Sequence, residues 1–205
     1  MSEYSRRAVH ISGVGMPLLY LLGLATWTQL RYFMIGATLV TFALEFLRLG
    51  VGLNHWLYDE LTREYEQDNV AGYLFYMSSM TLVALLFGPA VTIPAILMLT
   101  IADPISGALG ANGPHEHKRP AVIGATFGVC FLLSAPFTVA WSTPAVGAAA
   151  AAGGALLGAI ADGVKPIIRG VAVDDNLTLP LAAAVGIAGT FWLLGVDTGF
   201  DPVWM

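Results

Sequence analysis

Two adjacent carboxylates and an amide stand at the mouth of an apolar segment in the stretch Val173-Asp174-Asp175-Asn176-Leu177-Thr178-Leu179-Pro180. An ionised group beside hydrocarbon persists mainly where it faces water, a partner or a cation, which makes these residues functional candidates. Asn176 or Thr178 is suited to cap the helix that follows, and Pro180 suits a first turn, where its missing N–H costs nothing. Free N–H groups at a helix start attract anions, while Asp174 and Asp175 attract cations. A metal–phosphate complex answers both demands; an ordinary acidic cap answers the first.

A second acid, Asp103, precedes Pro104, which removes a backbone donor and biases Asp103 away from helical dihedrals. The expectation is a helix broken at Asp103, leaving a carbonyl exposed beside a carboxylate. Ser106, Gly107 and Gly110 follow at i+3, i+4 and i+7 and give Asp103 a face poor in side chains. The next loop holds His115, Glu116, His117, Lys118 and Arg119. Two histidines at i,i+2 are a thin metal motif, and a solvated loop is the simpler account. Lys118 and Arg119 suit phosphate, the one as a point charge and the other as a fork. Near the N-terminus Arg6, Arg7 and His10 share a helical face, and Glu45 and Arg48 form an i,i+3 pair. That pair either neutralises itself or contacts phosphate.

The elements that must position these groups lie in a bilayer. The chain has 205 residues, 57% hydrophobic and 11% charged, with mean hydropathy +0.72; soluble domains carry about a quarter charged residues. The expectation is one all-α polytopic domain over residues 1–205. Seven spans near the ~20 residues a bilayer requires are drawn at 8–26, 30–49, 70–87, 90–111, 121–141, 144–164 and 179–196. The fourth is the least regular. The sixth, rich in Ala and Gly, lets helix backbones approach closely. Residues 53–68 alternate apolar and charged faces at helical spacing and suggest an amphipathic helix on the inner surface, carrying Glu64 and Glu66 as further candidates. No cleaved leader is expected after the polar first seven residues. The lone Cys130 excludes a disulfide framework or a cysteine cluster.

Lys and Arg collect on the cytoplasmic side of membrane proteins. Arg6, Arg7, Arg48, Arg63, Lys118, Arg119, Lys165 and Arg169 fall on one side of these spans and only Arg31 on the other. The N-terminus is therefore expected inside and the C-terminus outside. The inner face also gathers every acid except Asp197 and Asp201, a setting for chemistry on a soluble charged substrate.

Taken in order, Arg-x-x-His10, Glu45-x-x-Arg48, Arg63-Glu-Tyr-Glu66, Ala-Asp103-x-x-x-Gly107-x-x-Gly110, a basic loop, Asp162 before Lys165, and Asp175-Asn176-Leu-Thr-Leu-Pro180 resemble the CTP-dependent polyprenol kinases, the group of dolichol and phytol kinases. The resemblance covers the whole chain. It implies an integral membrane enzyme, of the cell membrane in a prokaryote, that moves the γ-phosphate of CTP to a long isoprenoid alcohol at the cytoplasmic face. It implies Mg²⁺ or another divalent cation at Asp103, Asp162 and Asp175. Nucleotide contacts would come from Asn176, Lys118, Arg119, Lys165, Gly107 and Gly110, and Asp103 and Asp175 would be catalytic. Arg6, His10, Glu45, Arg48, Glu64 and Glu66 are further candidates. The chain departs from the family pattern at Ala102, where Gly is frequent, and at Asp162, where Glu is. After Lys118 the usual Ser/Thr and Glu are missing.

Phosphoryl transfer needs positioning, metal ions and cations on the developing charge, and the inner face holds those residue types. No P-loop or kinase-type glycine loop is present. Expected partners are CTP, the alcohol and membrane lipids, and not nucleic acid. The composition suits geranylgeraniol, dolichol, phytol or diacylglycerol alike, and any oligomeric state. Two other readings are a membrane cytidylyltransferase making a CDP-activated lipid, and a small ion-coupled transporter, which would carry its acids at mid-bilayer depth.

Overall fold

The computed structural model describes residues 3–53, 55, 56, 58, 62, 66–110, 117–164, 167, 168, 171–197 and 200–203. In chain order the helices are α1 (Glu3–Ser12), α2 (Gly15–Leu21), α3 (Trp27–Glu45), α4 (Gly72–Leu86), α5 (Pro89–Leu97), α6 (Asp103–Leu109), α7 (Pro120–Ala140), α8 (Pro144–Gly163) and α9 (Asp175–Leu193). Two π-helical turns extend this frame: Phe46–Gly50 continues α3, and Met98–Ala102 joins α5 to α6. Before α9, Ile167–Ile168 and Val171–Ala172 form a short antiparallel ladder, β1 and β2.

Among the described residues five helices are long and apolar enough to cross a membrane: Trp27–Gly50, Pro89–Leu109, Pro120–Ala140, Pro144–Gly163 and Asp175–Leu193. This is the architecture of a membrane-embedded protein. Its outer surface agrees, since Leu24, Phe46, Leu132 and Trp192 are each more than 65% exposed, an apolar coat that water would penalise. The expected span 8–26 is instead two short helices, because the chain turns at Gly13 and Val14. Tyr76 crowds that turn: its hydroxyl donates to the His10 carbonyl at 2.7 Å and lies where a Gly13 side chain would stand. The apolar segment at 70–87 yields the 15-residue α4. The amphipathic helix expected at 53–68 falls largely outside the described residues.

Lipid offers helices no hydrophobic reason to associate, so close backbone packing has to hold them. The seam between α8 and α9 shows this. A side chain added at Gly153 would lie 2.9 Å from the Gly186 carbonyl, and one at Gly154 3.1 Å from the Ala183 carbonyl. Around the seam Met34, Met80, Val91, Met98, Leu99, Leu179, Ile187 and Phe191 form the fully buried core.

At the C-terminal end of α4, buried Arg31 donates from Nε to the Ala84 carbonyl at 2.7 Å and from Nη2 to the Phe87 carbonyl at 3.3 Å. Arg31 also pairs with the Asp201 carboxylate at 3.1 Å and bonds its carbonyl. Of the carbonyls left orphaned at the end of α4, Arg31 thus closes that of Ala84, and the Asp201 and Val203 N–H groups close those of Leu86 and Leu85.

Local prolines explain two departures from expectation. Pro104 does not break the chain: Asp103 keeps helical dihedrals (φ −63°, ψ −48°). Its N–H reaches back five residues to the Met98 carbonyl, so the wider π turn absorbs the proline and turns the Asp103 face. Pro180 lies in the second turn of α9 rather than its first, so the carbonyl four residues back, of Asn176, lacks its helical donor. Ser79 of α4 supplies one, donating from Oγ to that carbonyl at 2.6 Å. Ser79→Ala leaves a buried carbonyl unsatisfied and should cost about 1–3 kcal/mol, read as a lowered melting temperature of the detergent-solubilised protein. An unchanged melting temperature would refute the account.

Candidate functional site

Asp103 opens α6, Asp162 is the penultimate residue of α8, and Asp175 opens α9. One carboxylate oxygen from each lies within 4.8 Å of the others. Asp162 is fully buried and Asp175 is 9% exposed, so three formal negative charges share a poorly hydrated spot at one end of an apolar bundle. Such an arrangement is relieved by a cation or by protonation of one of the carboxyls. The donors are all oxygen, the set that hard divalent ions such as Mg²⁺ prefer. The expected metal residues are therefore brought together.

One cation is built in. Lys118, 7% exposed, donates from Nζ to Asp162 Oδ1 at 2.6 Å and to Ser106 Oγ at 2.9 Å. Ser106 in turn donates to Asp162 Oδ2 at 2.6 Å. The Lys118 backbone N–H donates to the Gly163 carbonyl at 2.9 Å, so main chain and side chain are both tied to the end of α8. The basic residue expected to contact nucleotide is bonded to an acid expected to contact metal.

On the other flank His10 Nδ1 lies 3.5 Å from Asp103 Oδ2. Its ring packs edge-on against Tyr76, with centroids 4.5 Å apart. Arg7 donates from Nη2 to the Gly107 carbonyl at 3.2 Å, one of the carbonyls left unpaired at the end of α6. Helix α1 thus docks onto the π turn and α6. A side chain at Gly107 would meet nothing within 4 Å, whereas one at Gly110 would touch Val122 at 3.4 Å, so only Gly107 borders open space. Arg119 is exposed at the start of α7.

The cap of α9 is Asp174, not Asn176 or Thr178: its Oδ1 accepts from the Asn176 N–H at 2.9 Å. It wins because its backbone is extended (φ −67°, ψ 132°), as a cap requires, while Asn176 is already inside the helix. Asn176 is therefore free of capping duty, and its Oδ1 is buried without a hydrogen-bond partner. Its Nδ2, Glu66 Oε1 and Asp174 Oδ2 surround Gly72, at 3.1, 3.3 and 3.6 Å from where a side-chain carbon would stand.

Glu45 and Arg48 answer the choice that the sequence left open. Arg48 has five N–H donors and five acceptors. Nε and Nη2 reach Glu45 at 3.1 and 2.6 Å, Nη1 reaches the Glu66 and Gln67 carbonyls at 3.0 and 2.8 Å, and Nη2 reaches the Asn69 carbonyl at 2.5 Å. Glu45 also accepts from the Ala71 N–H at 2.8 Å and from the Tyr73 hydroxyl. With all its donors engaged, Arg48 shapes residues 66–71 and presents Glu66 beside Asn176. Arg6 belongs to α1; Glu64 and Lys165 lie outside the described residues.

Ser106, Arg7, Tyr73, Tyr76, Ser79 and Gly72 were not among the expected site residues. Ser106 was legible, three residues from Asp103 on one face. The two tyrosines and Ser79 sit in an apolar helix whose pattern carries no sign of their partners. No family model, curated protein or solved structure matches this chain.

Proposed function

We propose that the chain is a membrane phosphotransferase that moves the γ-phosphate of CTP to the hydroxyl of a long isoprenoid alcohol at the cytoplasmic face. The observation that carries this reading is the meeting of Asp103, Asp162 and Asp175 with Lys118, from four separate segments, at one end of an apolar helical bundle. The choice of CTP and of an isoprenoid alcohol rests on the resemblance in motif order.

In the reaction the alcohol oxygen bonds to the γ-phosphorus, the bond from that phosphorus to the β–γ bridging oxygen breaks, and CDP leaves with the electron pair. The hydroxyl proton passes to the carboxylate of Asp103, beside which His10 stands. Lys118 offers fixed positive charge to the phosphates, and Asn176 offers a buried amide to the nucleotide. Mg²⁺, for which the carboxylates are suitable donors, would neutralise charge across the β- and γ-phosphates.

With α1 and α2 together and α4 added to the five long helices, the chain crosses seven times, N-terminus inside and C-terminus outside. The distribution of Lys and Arg supports this orientation. Gln67→Cys, at an exposed position on the proposed inner face, should resist an impermeant thiol reagent in intact cells. Labelling from outside would overturn the orientation and the cytosolic nucleotide site.

Purified protein given CTP, Mg²⁺ and geranylgeraniol, dolichol or phytol should release CDP and form the lipid monophosphate. Release of pyrophosphate with a CDP-linked lipid would establish the cytidylyltransferase instead. No nucleotide turnover with any alcohol would end both readings. An ion-coupled transporter is less well supported, because Asp162 and Asp175 sit at helix ends rather than at mid-span.

A further inference from the structure

We infer that Asn176 reads the nucleoside half of the nucleotide and not its phosphates, its buried side-chain oxygen accepting one hydrogen bond from an N–H or O–H group of the base or ribose. This deepens the reading above and rests on it for the presence of a nucleotide.

Both polar groups of the Asn176 main chain are committed. The N–H donates to Asp174 Oδ1 at 2.9 Å, and the carbonyl accepts from Ser79 Oγ at 2.6 Å. Asn176 is therefore pinned between the first turn of α9 and the middle of α4, and only 6% of it is exposed. Its side-chain oxygen is the exception, buried with no hydrogen-bond partner among the described residues. A buried acceptor left unmade is costly, so one in a residue that is otherwise satisfied calls for a reason. A ligand that brings the missing donor is the reason its surroundings favour.

The neighbours decide which end of the amide is open. A side-chain carbon placed on Gly72 would stand 3.1 Å from Asn176 Nδ2, 3.3 Å from Glu66 Oε1 and 3.6 Å from Asp174 Oδ2. The NH₂ end thus shares a spot with two carboxylate oxygens, which is the favourable orientation; the reverse would turn the amide oxygen toward acceptors. The oxygen is left as the open end.

An open acceptor sorts its ligands. Ionised phosphate oxygens have no hydrogen to give, so Asn176 Oδ1 offers them nothing. The isoprenoid alcohol has a hydroxyl, but it arrives through lipid. Asn176 lies against Gly72, which opens α4 just after the exposed residues Gln67, Asp68 and Asn69, at the aqueous edge of the bundle. That edge is firmly built, because Arg48 holds the carbonyls of Glu66, Gln67 and Asn69. A soluble ligand whose phosphates meet the adjoining Asp175 brings its ribose and base to the same region. The donors there are the ribose hydroxyls and the exocyclic amine, which cytosine has and which uracil replaces with an acceptor.

The test is binding to the full chain in detergent with Mg²⁺, read as dissociation constants for CTP, UTP, 2′-deoxy-CTP, 3′-deoxy-CTP and tripolyphosphate. The wild type should bind CTP at least about ten-fold more tightly than the analogue lacking the donor that Asn176 reads, since a site built around a hydrogen bond rejects a ligand without it. A defect of UTP identifies the amine, and a defect of one deoxynucleotide identifies that hydroxyl. Asn176→Ala should bring CTP down to the level of that analogue while tripolyphosphate stays within about two-fold of wild type. Its melting temperature without ligand should not fall, because the change removes a buried acceptor that had no partner. A merely structural Asn176 would show the opposite pattern. Gly72→Ala adds no polar group but crowds the amide at 3.1 Å. It should narrow the same preference several-fold, and it decides the matter if Asn176→Ala fails to fold. Overturning results are a wild type that binds CTP and all three analogues alike, an Asn176→Ala protein that keeps the full preference, or one that loses tripolyphosphate as severely as CTP, which would make Asn176 a phosphate contact. The preference in a protein that forms no lipid phosphate overturns the kinase reading alone. Lipid phosphate formed by a protein that binds all four nucleotides alike overturns this inference alone.

Discussion

Asp103→Asn should fold, insert and melt close to the wild-type temperature, yet transfer phosphate at least about 100-fold more slowly, as for a lost acid–base or charge-stabilising contact. The substitution keeps side-chain shape, and the helical dihedrals of Asp103 suit Asn as well. It removes one of three clustered charges, so the protein without metal has less repulsion to bear and no structural reason to unfold. What it removes is the carboxylate that His10 approaches at 3.5 Å and that shares a 4.8 Å neighbourhood with Asp162 and Asp175. The measurement is initial rate at saturating CTP and alcohol, with the melting temperature recorded on the same preparation. A well-folded variant with near-normal turnover would remove Asp103 from the chemistry.

The second large effect is expected at Asp175, and its neighbour provides the control. Asp174 is the cap, and Ser caps about as well as Asp. Asp174→Ser should therefore leave both the melting temperature and its rise with CTP and Mg²⁺ close to wild type. Asp175→Ser leaves the Asp174 cap bond in place and deletes a carboxylate of the centre. Its melting temperature without ligand should hold, the rise with CTP and Mg²⁺ should vanish, and turnover should fall about 100-fold. If both variants behave like wild type, the opening turn of α9 is a helix start and nothing more.

The parts of this architecture that depend on composition were legible in the sequence. Long apolar runs must become helices in lipid, and five of them do. Asp103, Asp162 and Asp175 stood out because carboxylates next to apolar runs are costly. What could not be read is how the polar atoms are shared. Glu45 and Arg48 fit phosphate by residue type, and only the places of the Glu66, Gln67 and Asn69 carbonyls reveal that the guanidinium is fully engaged. Asp174, Asn176 and Thr178 all can cap, and the dihedrals of one turn decide among them. The two prolines pointed to a break at Asp103 and a first-turn place at 180. A π turn and a serine from another helix changed both outcomes, and neither leaves a mark on apolar periodicity.

The glycine seam between α8 and α9 bears on how this protein meets membranes of different thickness. Helices adjust to a thicker or thinner bilayer by tilting, and groups carried on independently tilting helices drift apart. Backbone contact at Gly153, Gly154 and Gly186 makes α8 and α9 tilt together, so the spacing of Asp162 and Asp175 is held as if by a ruler. Asp103 is mounted differently, behind a π turn and between Pro94 and Pro104. Of the three carboxylates it is therefore the one expected to shift most relative to the others when bilayer thickness changes.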